Sequence, residues 1–590
     1  MFSKVLVANR GEIAVRVMRA LEELDIASVA VYSELDRDAL HVKRADEAYL
    51  LGGAAPSESY LNIERILDAA HRSGAEAIHP GYGFLAENAA FARACSEAGV
   101  VFIGPPAEAI EAMGSKTRAR ELMAAAGVPI VPGTTEPVAD VKAARKLIDG
   151  GIGYPVAVKA AGGGGGKGFR VALADDELEA AFEGAAREGE KFFADATVYL
   201  ERYLAHPRHV EVQVLADAHG NVIHLGERDC SIQRRHQKLI EESPAPAWVV
   251  DHEMRERIGA IATDAARAVG YQGAGTIEGL LEGDEYFFLE MNTRVQVEHC
   301  VTEMTTGIDI VKQGIHVAAG EPLAYSQEQV VLRGHAIECR INAEDASRRF
   351  APAPGRIGAY KEPSGPGIRV DSGVGAGSEI SPNYDPLIAK LIAWDVDRAQ
   401  ATRRMRRALE EFQIDGLHTL LPFHRTLLAT EQWERGETCH DLLEDKDWLA
   451  TLATEPAAGG GEADAEPSVT SDYTVEVSGR RFDVRVIGAP SLNGAAAAQR
   501  KPTKRSERRA RGGGSSGSGE ELAAPMQGTV LRIAVEPGAQ VEAGGLVAII
   551  EAMKMENEIV AHRSGTIVEL PIAVGASVAQ GDTLAVIREP

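Results

Sequence analysis

Short apolar runs alternate with amphipathic ones through the first hundred residues. Lys4-Val5-Leu6-Val7-Ala8-Asn9 reads as a buried strand, and Arg10-Gly11-Glu12 turns into a helix with Ile13, Val17 and Leu21 on one face. Ala27 to Tyr32 is a second strand, and Val101–Ile103 is another before Gly104-Pro105. Strands alternating with helices imply a parallel sheet wound by right-handed crossovers, hence an α/β domain. His79-Pro80-Gly81-Tyr82-Gly83-Phe84 is a loop between two such elements. No G-x-G-x-x-G follows the first strand, so no dinucleotide site is assigned. Farther along, Tyr154–Lys159 forms a strand ending in a lysine, Phe169-Arg170-Val171 looks like another, and Gly275-Thr276-Ile277-Glu278 ends a third. In Glu290–His299, polar residues fall at 290, 292, 294, 296 and 298, while Met291, Val295 and Val297 are apolar. Period 2 lines Glu290, Asn292, Arg294, Gln296 and Glu298 along one face, if the whole run is extended.

The pattern changes after Trp448. Residues 457–464 are a Gly/Ala/Glu linker, and Tyr473–Val477 and Phe482–Val486 alternate around Ser478-Gly479, a hairpin signal. Residues 489–520, rich in Ala, Lys/Arg, Gly and Ser, read as a disordered tether. The chain then repeats itself. Gly528-Thr529-Val530 returns as Gly565-Thr566-Ile567, Pro537-Gly538-Ala539 as Val574-Gly575-Ala576, and Val547–Ile550 as Leu584–Ile587, always 37 residues apart. An ungapped repeat of short β runs with Gly at fixed places means two copies of one supersecondary unit, as in a small barrel or sandwich. Lys554, in Glu551-Ala552-Met553-Lys554-Met555-Glu556-Asn557, falls between the copies at a hairpin tip.

Composition narrows the chemistry. The 590 residues suggest several domains, and 45% hydrophobic with 25% charged residues is ordinary for globular proteins. A net charge of −25 argues against a general nucleic-acid binder, and the cluster Arg508-Arg509-Ala510-Arg511 reads as part of the solvated tether. Cys95, Cys230, Cys300, Cys339 and Cys439 are odd in number and widely spaced, without zinc-ligand spacing, which suggests a reducing cytoplasm. The N-terminus reads as a strand rather than a secretion signal, and no apolar run is long enough for a membrane.

Three stretches carry candidate chemistry. Ala161-Gly162-Gly163-Gly164-Gly165-Gly166-Lys167-Gly168 imitates a P-loop but has Ala161 for its first Gly and Gly168 for its Ser/Thr. It reads instead as a glycine hairpin whose bare N–H groups close over phosphates. Glu278, Glu290 and Asn292 are hard oxygen ligands suited to Mg²⁺ shared with nucleotide phosphates. Lys554 between two methionines at a symmetric tip is the third.

That tip resembles the biotinyl carrier domain of biotin-dependent carboxylases; lipoyl domains share the fold, but their lysine usually follows an acidic residue and precedes alanine. Residues 1 to about 447 resemble a biotin carboxylase of the ATP-grasp class. The matching motifs are Val7–Ala14, the His79–Phe84 loop, the glycine hairpin, Gln233-Arg234-Arg235-His236-Gln237-Lys238, Glu290–His299 and Glu338–Asp345. The resemblance implies an N-terminal α/β domain (1–115), an ATP-grasp domain (116–330) with a mobile lid at about 130–203, a C-terminal carboxylase domain (331–447), a linker with a hairpin (448–488), a tether (489–522) and an all-β carrier (523–590). It implies ATP contacts from Lys116, Lys159, Gly162, Gly163, Gly164, Gly165, Gly166, Glu201, Tyr203, Leu204, His209, Gln233, His236 and Leu280. Glu278, Glu290 and Asn292 would hold Mg²⁺ or Mn²⁺; Lys238, Arg294, Gln296 and Val297 would hold bicarbonate near the transferred phosphate. Glu298 would be the base, Arg340 would stabilise enolate-like biotin, and Lys554 would carry the biotin. Implied partners are a biotin protein ligase, further copies of the carboxylase domain and a separate carboxyltransferase (β) subunit. Acetyl-CoA or propionyl-CoA is the expected final acceptor, with pyruvate an alternative. A scaffold with another grasp-ligase role, as in carbamoyl phosphate or purine synthesis, is the competing class, but those ligases have no swinging carrier.

Overall fold

The computed structural model describes residues 1–134, 136–160, 168–193, 196–235, 237–453, 469–477, 480–488, 520–524, 528–552, 555–578 and 581–588. The chain divides into two units, Met1–Glu455 and Pro456–Pro590.

The first unit opens with a five-stranded parallel sheet: β1 (Lys4–Val7), β2 (Ala27–Ser33), β3 (Glu47–Gly52), β4 (Ala77–His79) and β5 (Val101–Phe102), in the order β3-β2-β1-β4-β5. Past Lys4, β1 is apolar because both its faces are covered. Val5 and Val7 join the cluster that holds Ile13, Val17 and Leu21 of helix α1 (Gly11–Glu23), while Leu6 joins Val29, Val31 and Ile66 on the other side. The expected helix face is the one that packs.

Residues 156–202 include a separate three-stranded antiparallel sheet, β6 (Val156–Ala160), β7 (Phe169–Ala172) and β8 (Val198–Arg202), with helix α2 (Asp175–Phe193) against it. Val156, Val158, Leu178, Phe182 and Leu200 form its own small core.

The site rests on an eight-stranded antiparallel sheet. Its strands are β9 (Arg208–Ala216), β10 (Val222–Arg234), β11 (Gln237–Ser243), β12 (Gly273–Glu282), β13 (Glu285–Asn292), β14 (His335–Asn342), β15 (Ile368–Ser372) and β16 (Leu387–Asp395). The order is β13-β12-β9-β10-β11-β14-β16-β15. Helix α3 (His252–Ala268) packs on one face, against Val210, Val212, Val214 and Ile277. The other face of the same strands is polar. Helix α4 (His299–Thr306) starts at the turn after β13.

Two expectations need correction here. The polar alternation from Glu290 to Glu298 is not one strand: β13 ends at Asn292, and residues 293–298 turn into α4 with Glu298 as its N-cap. The backbone N–H of Thr293 donates to the Glu87 carboxylate (3.0 Å), so a side chain from far back in the chain, not a ladder partner, takes the next buried donor. Glu278, expected at a strand end, lies inside β12. All five cysteines are buried and free, and among the described residues no helix is long and apolar enough to cross a membrane.

In the second unit, Val469–Val477 and Arg480–Gly488 pair as an antiparallel ribbon, longer at both outer ends than the sequence suggested. The tether reading at 489–520 falls outside the described residues except for Glu520. The repeat makes two four-stranded sheets. One combines Gly528–Ile533, Leu546–Ala552 and Met555–Val560 with Ser577–Val578 of the second copy; the other combines Glu521–Ala523, Gly565–Glu569 and Thr583–Arg588 with Gln540–Val541 of the first. Each copy thus lends its short strand to the other's sheet, a pseudo-twofold arrangement. Val530 and Ile567, Val547 and Leu584, and Ile550 and Ile587 are repeat-related pairs, and all six are buried in the shared core. Gly538 and Gly575 turn at φ 91° and 86°, Gly544 and Gly581 at 87° and 90°, conformations that glycine takes at little cost. Ala552 pairs with Met555; Met553 and Lys554, the expected tip, lie outside the described residues.

Candidate active site

The polar face of the eight-stranded sheet is built by register. On β9, His209, Glu211 and Gln213 alternate with three buried valines, so all three polar side chains share the face opposite α3. Glu290 stands opposite Glu278, Glu278 opposite Glu211, and Glu211 opposite Arg228, a single row across β13, β12, β9 and β10. Three adjacent carboxylates destabilise a sheet unless cations intervene. Arg228, fully buried, donates to Glu211 at 2.5 Å and also to Gln213, Thr302, Thr276 and Gln296. Lys238 reaches three acids at once: Glu211 at 2.5 Å, Glu278 at 2.8 Å and Glu298 at 2.5 Å.

From Lys238 the charges continue outward. Glu298, 2% exposed, takes Lys238 on Oε1 and the Arg340 guanidinium on Oε2 at 3.0 Å. Arg340 donates its Nε–H to Glu241 at 2.6 Å. Burial opposes the charge on Glu298, but Lys238, Arg340 and Arg228 outweigh it and hold the carboxyl well below the usual carboxylate range. Burial likewise disfavours charge on Lys238, and Glu211 and Glu298 more than restore it. Glu241 goes the other way: burial pushes it up to about 7 despite Arg340. The flanking cations thus keep Glu298 ionised at the edge of a positively charged pocket, where an anion can bind.

Several sequence-predicted residues meet here. Gln296 spends its amide on Arg228 and Glu278 (2.6 Å each), and the Val297 carbonyl is taken by Lys390. Arg294 is held by Glu87 (Nε to Oε2 2.8 Å) and donates Nη2–H to Asn292 Oδ1 at 2.7 Å. His209 lies 3.0 Å from Glu278. Leu204 and Leu280 come together with Val131 and Phe287, an apolar wall beside the acid row. Lys159 binds Glu201, which Arg120 also holds at 2.8 Å. The Tyr203 ring lies 6.5 Å from Phe169, and the Gln233 amide donates to the Cys230 carbonyl at 2.6 Å. Gly162–Gly166 and His236 lie outside the described residues, as does the side chain of Lys116.

Glu278, Glu290 and Asn292 offer oxygen donors from paired strands, and the donor set fits a hard divalent cation. Among the described residues the amide nitrogen of buried Asn292 has no hydrogen-bond partner, so only its oxygen is engaged. His209, Glu211 and Glu278 also gather within 4.8 Å, a set with one nitrogen donor and a poorer match to Mg²⁺.

Sequence reasoning missed Glu87, Glu211, Arg228 and Glu241. For Glu211 a signal existed: His209-x-Glu211-x-Gln213 is a strict polar alternation inside an otherwise valine strand. Arg228, Glu241 and Glu87 carried none, since only pairing and packing bring them in.

The chain matches four families: "Biotin carboxylase, N-terminal domain" over residues 1–110, "Carbamoyl-phosphate synthase L chain, ATP binding domain" over 115–326, "Biotin carboxylase C-terminal domain" over 338–445 and "Biotin-requiring enzyme" over 520–587. It is 55% identical to a pyruvate carboxylase subunit of Methanothermobacter thermautotrophicus over 437 residues, 74% of this chain and 88% of the relative. It is 47% identical to the biotin-dependent acyl-coenzyme A carboxylase alpha3 subunit of Mycobacterium leprae over 576 residues, 95% of this chain and 94% of the relative. Among solved structures it resembles the biotin carboxylase domain dimer of 2-oxoglutarate carboxylase from Hydrogenobacter thermophilus, in complex with MgADP, ADP and bicarbonate. That match has a TM-score of 0.69 and 51% identity, and covers 75% of this chain and 99% of the other.

Proposed function

The chain belongs to the biotin carboxylase family and carries a biotin-requiring domain on the same polypeptide, and we propose that it loads biotin on Lys554 with a carboxyl group for a separate carboxyltransferase that works on an acyl-CoA. Its activity is ATP-dependent carboxylation of biotin, with Mg²⁺ and bicarbonate. The observation that supports the acyl-CoA reading is the collinear match of 95% of the chain, carrier included, to the Mycobacterium leprae protein; the pyruvate carboxylase relative matches 74%.

In this reading Arg294, with Gln296 and the Val297 backbone, receives bicarbonate; a planar guanidinium suits a planar anion. Glu298 takes the bicarbonate O–H proton. The freed oxygen attacks the γ-phosphorus of ATP, the bond to the β-phosphate oxygen breaks, and ADP leaves with that electron pair. Lys238 neutralises charge near the transferred phosphoryl group. Mg²⁺ at Glu278, Glu290 and Asn292 would supply screening of phosphate charge. Arg340 stabilises the enolate-like biotin that accepts the carboxyl group. Lys159, Glu201, Leu204 and Leu280 frame the nucleotide.

We place the acceptor site on a separate carboxyltransferase on the strength of the collinear match to a relative named as an alpha3 subunit. The ribbon at 469–488 pairs with no other described strand, and its open edges offer a docking surface for that partner. Self-association through the carboxylase unit is proposed from the relative whose domain is a dimer.

The biotinylated chain with ATP, Mg²⁺ and bicarbonate should carboxylate its own biotin but no acyl-CoA. Adding the partner should yield carboxylated acetyl- or propionyl-CoA, read by label transfer from bicarbonate. Carboxylation of an acyl-CoA by the pure chain would overturn the two-subunit reading. On co-expression with a biotin ligase, Lys554→Ala should lose the whole biotin mass shift; an unchanged shift would place the biotin elsewhere.

A further inference from the structure

β16 is buried along most of its length, yet carries a lysine in its centre. Lys390 is 0% exposed, and a cation in such a place is costly unless its hydrogen bonds are used. It stands opposite Arg340 on β14 and opposite Asp371 on β15, so it shares the face of the site. Asp371 lies 3.7 Å from the ammonium, but Arg369 donates to both of its oxygens, at 3.0 and 2.7 Å, and remains its cation when Lys390 is replaced. Glu12 of α1 lies 3.3 Å from the Lys390 ammonium as an ion pair, and its other oxygen accepts the Tyr82 hydroxyl. The ammonium donates a hydrogen bond to the Val297 carbonyl, at 2.9 Å. That carbonyl immediately precedes Glu298, in the turn where β13 has ended and the α4 hydrogen bonds have not begun.

We infer that Lys390 is a positioning residue: its hydrogen bond to the Val297 carbonyl fixes the peptide that aims Glu298 at bicarbonate, and its charge holds Glu12 and the Tyr82 loop against the same turn. The inference rests on Glu298 being the base. A lysine with Arg340 and Lys238 close by adds nothing as a third anion hook if its ammonium is turned to a backbone carbonyl, whereas a rigid turn matters: a displacement of about 1 Å at a reacting group can cost about 100-fold.

The test is charge-balanced so that Glu12 is not left ionised without its cation. K390M/E12Q is compared with E12Q alone, and K390Q/E12Q restores a neutral donor toward Val297. Bicarbonate-dependent ADP release and melting temperature are measured on the full biotinylated chain. Expected for K390M/E12Q is a loss of about 10- to 100-fold in kcat/KM for bicarbonate relative to E12Q, with KM for ATP and melting temperature little changed. K390Q/E12Q should recover most of that loss. Equal bicarbonate kinetics in K390M/E12Q and E12Q would overturn the inference, as would a loss shared equally by ATP and bicarbonate. The base assignment is judged separately: turnover retained by Glu298→Gln would remove it, whatever Lys390 does.

Discussion

Glu298→Gln is expected to lower bicarbonate-dependent ATP cleavage by about a thousandfold while nucleotide binding stays intact. Gln keeps the shape and one acceptor oxygen but cannot take a proton from bicarbonate. The neighbours tolerate the change: Lys238 keeps Glu211 and Glu278, and Arg340 keeps Glu241. Nucleotide contacts proposed for Lys159, Leu204 and Leu280 lie on other elements. Near-normal ADP release in the variant would refute the role. The pH dependence of stability has a definite sign. Glu298 has a folded pKa below its unfolded value of about 4.3. Its ion pairs therefore stabilise fully above that value and are lost as pH falls through the depressed folded pKa. The difference in melting temperature between wild type and variant should be constant above about pH 6 and shrink in acid.

Lys238→Gln is expected to cost both stability and activity. One ammonium screens Glu211, Glu278 and Glu298, whose side chains are almost wholly buried. Removing one partner of a buried ion pair costs about 3–5 kcal/mol, because the remaining charge has lost its compensation. Arg228 still holds Glu211, and Arg340 still holds Glu298, so the fold should survive with a lower melting temperature. Lys238 helps to hold Glu278 and Glu298 below the usual carboxylate range, so without it both take up protons more readily, and the deficit should be largest at neutral pH and narrow toward acid. Phosphoryl transfer should fall by at least about a hundredfold, since the ammonium is also the cation nearest Glu298, the proposed base. A variant with wild-type melting temperature at pH 7 would show that the three acids do not depend on this lysine.

The sequence alone settled much of this molecule. Apolar runs buried on both faces gave the parallel sheet at the N-terminus, because a strand covered twice has no polar positions to spare. The 37-residue repeat gave the two-copy β domain, because matched spacing of core residues and positive-φ glycines lets both halves bury one shared core. The pairing of Glu278 with Glu290 was also legible, as two acids on neighbouring strands of an Mg²⁺-type donor set. Other features were decided by tertiary structure. The polar period from Glu290 to Glu298 looked like one strand, yet a carboxylate from residue 87 took the Thr293 amide and the chain turned, which swung Glu298 into the charge cluster instead of along a face. Arg228, Glu241 and Lys390 gained their roles only through register, which sets residues far apart in sequence directly opposite one another. Local sequence fixes which side of a strand a residue faces; which partner it meets depends on strands contributed from elsewhere, and buried charge is stable only where those partners arrive.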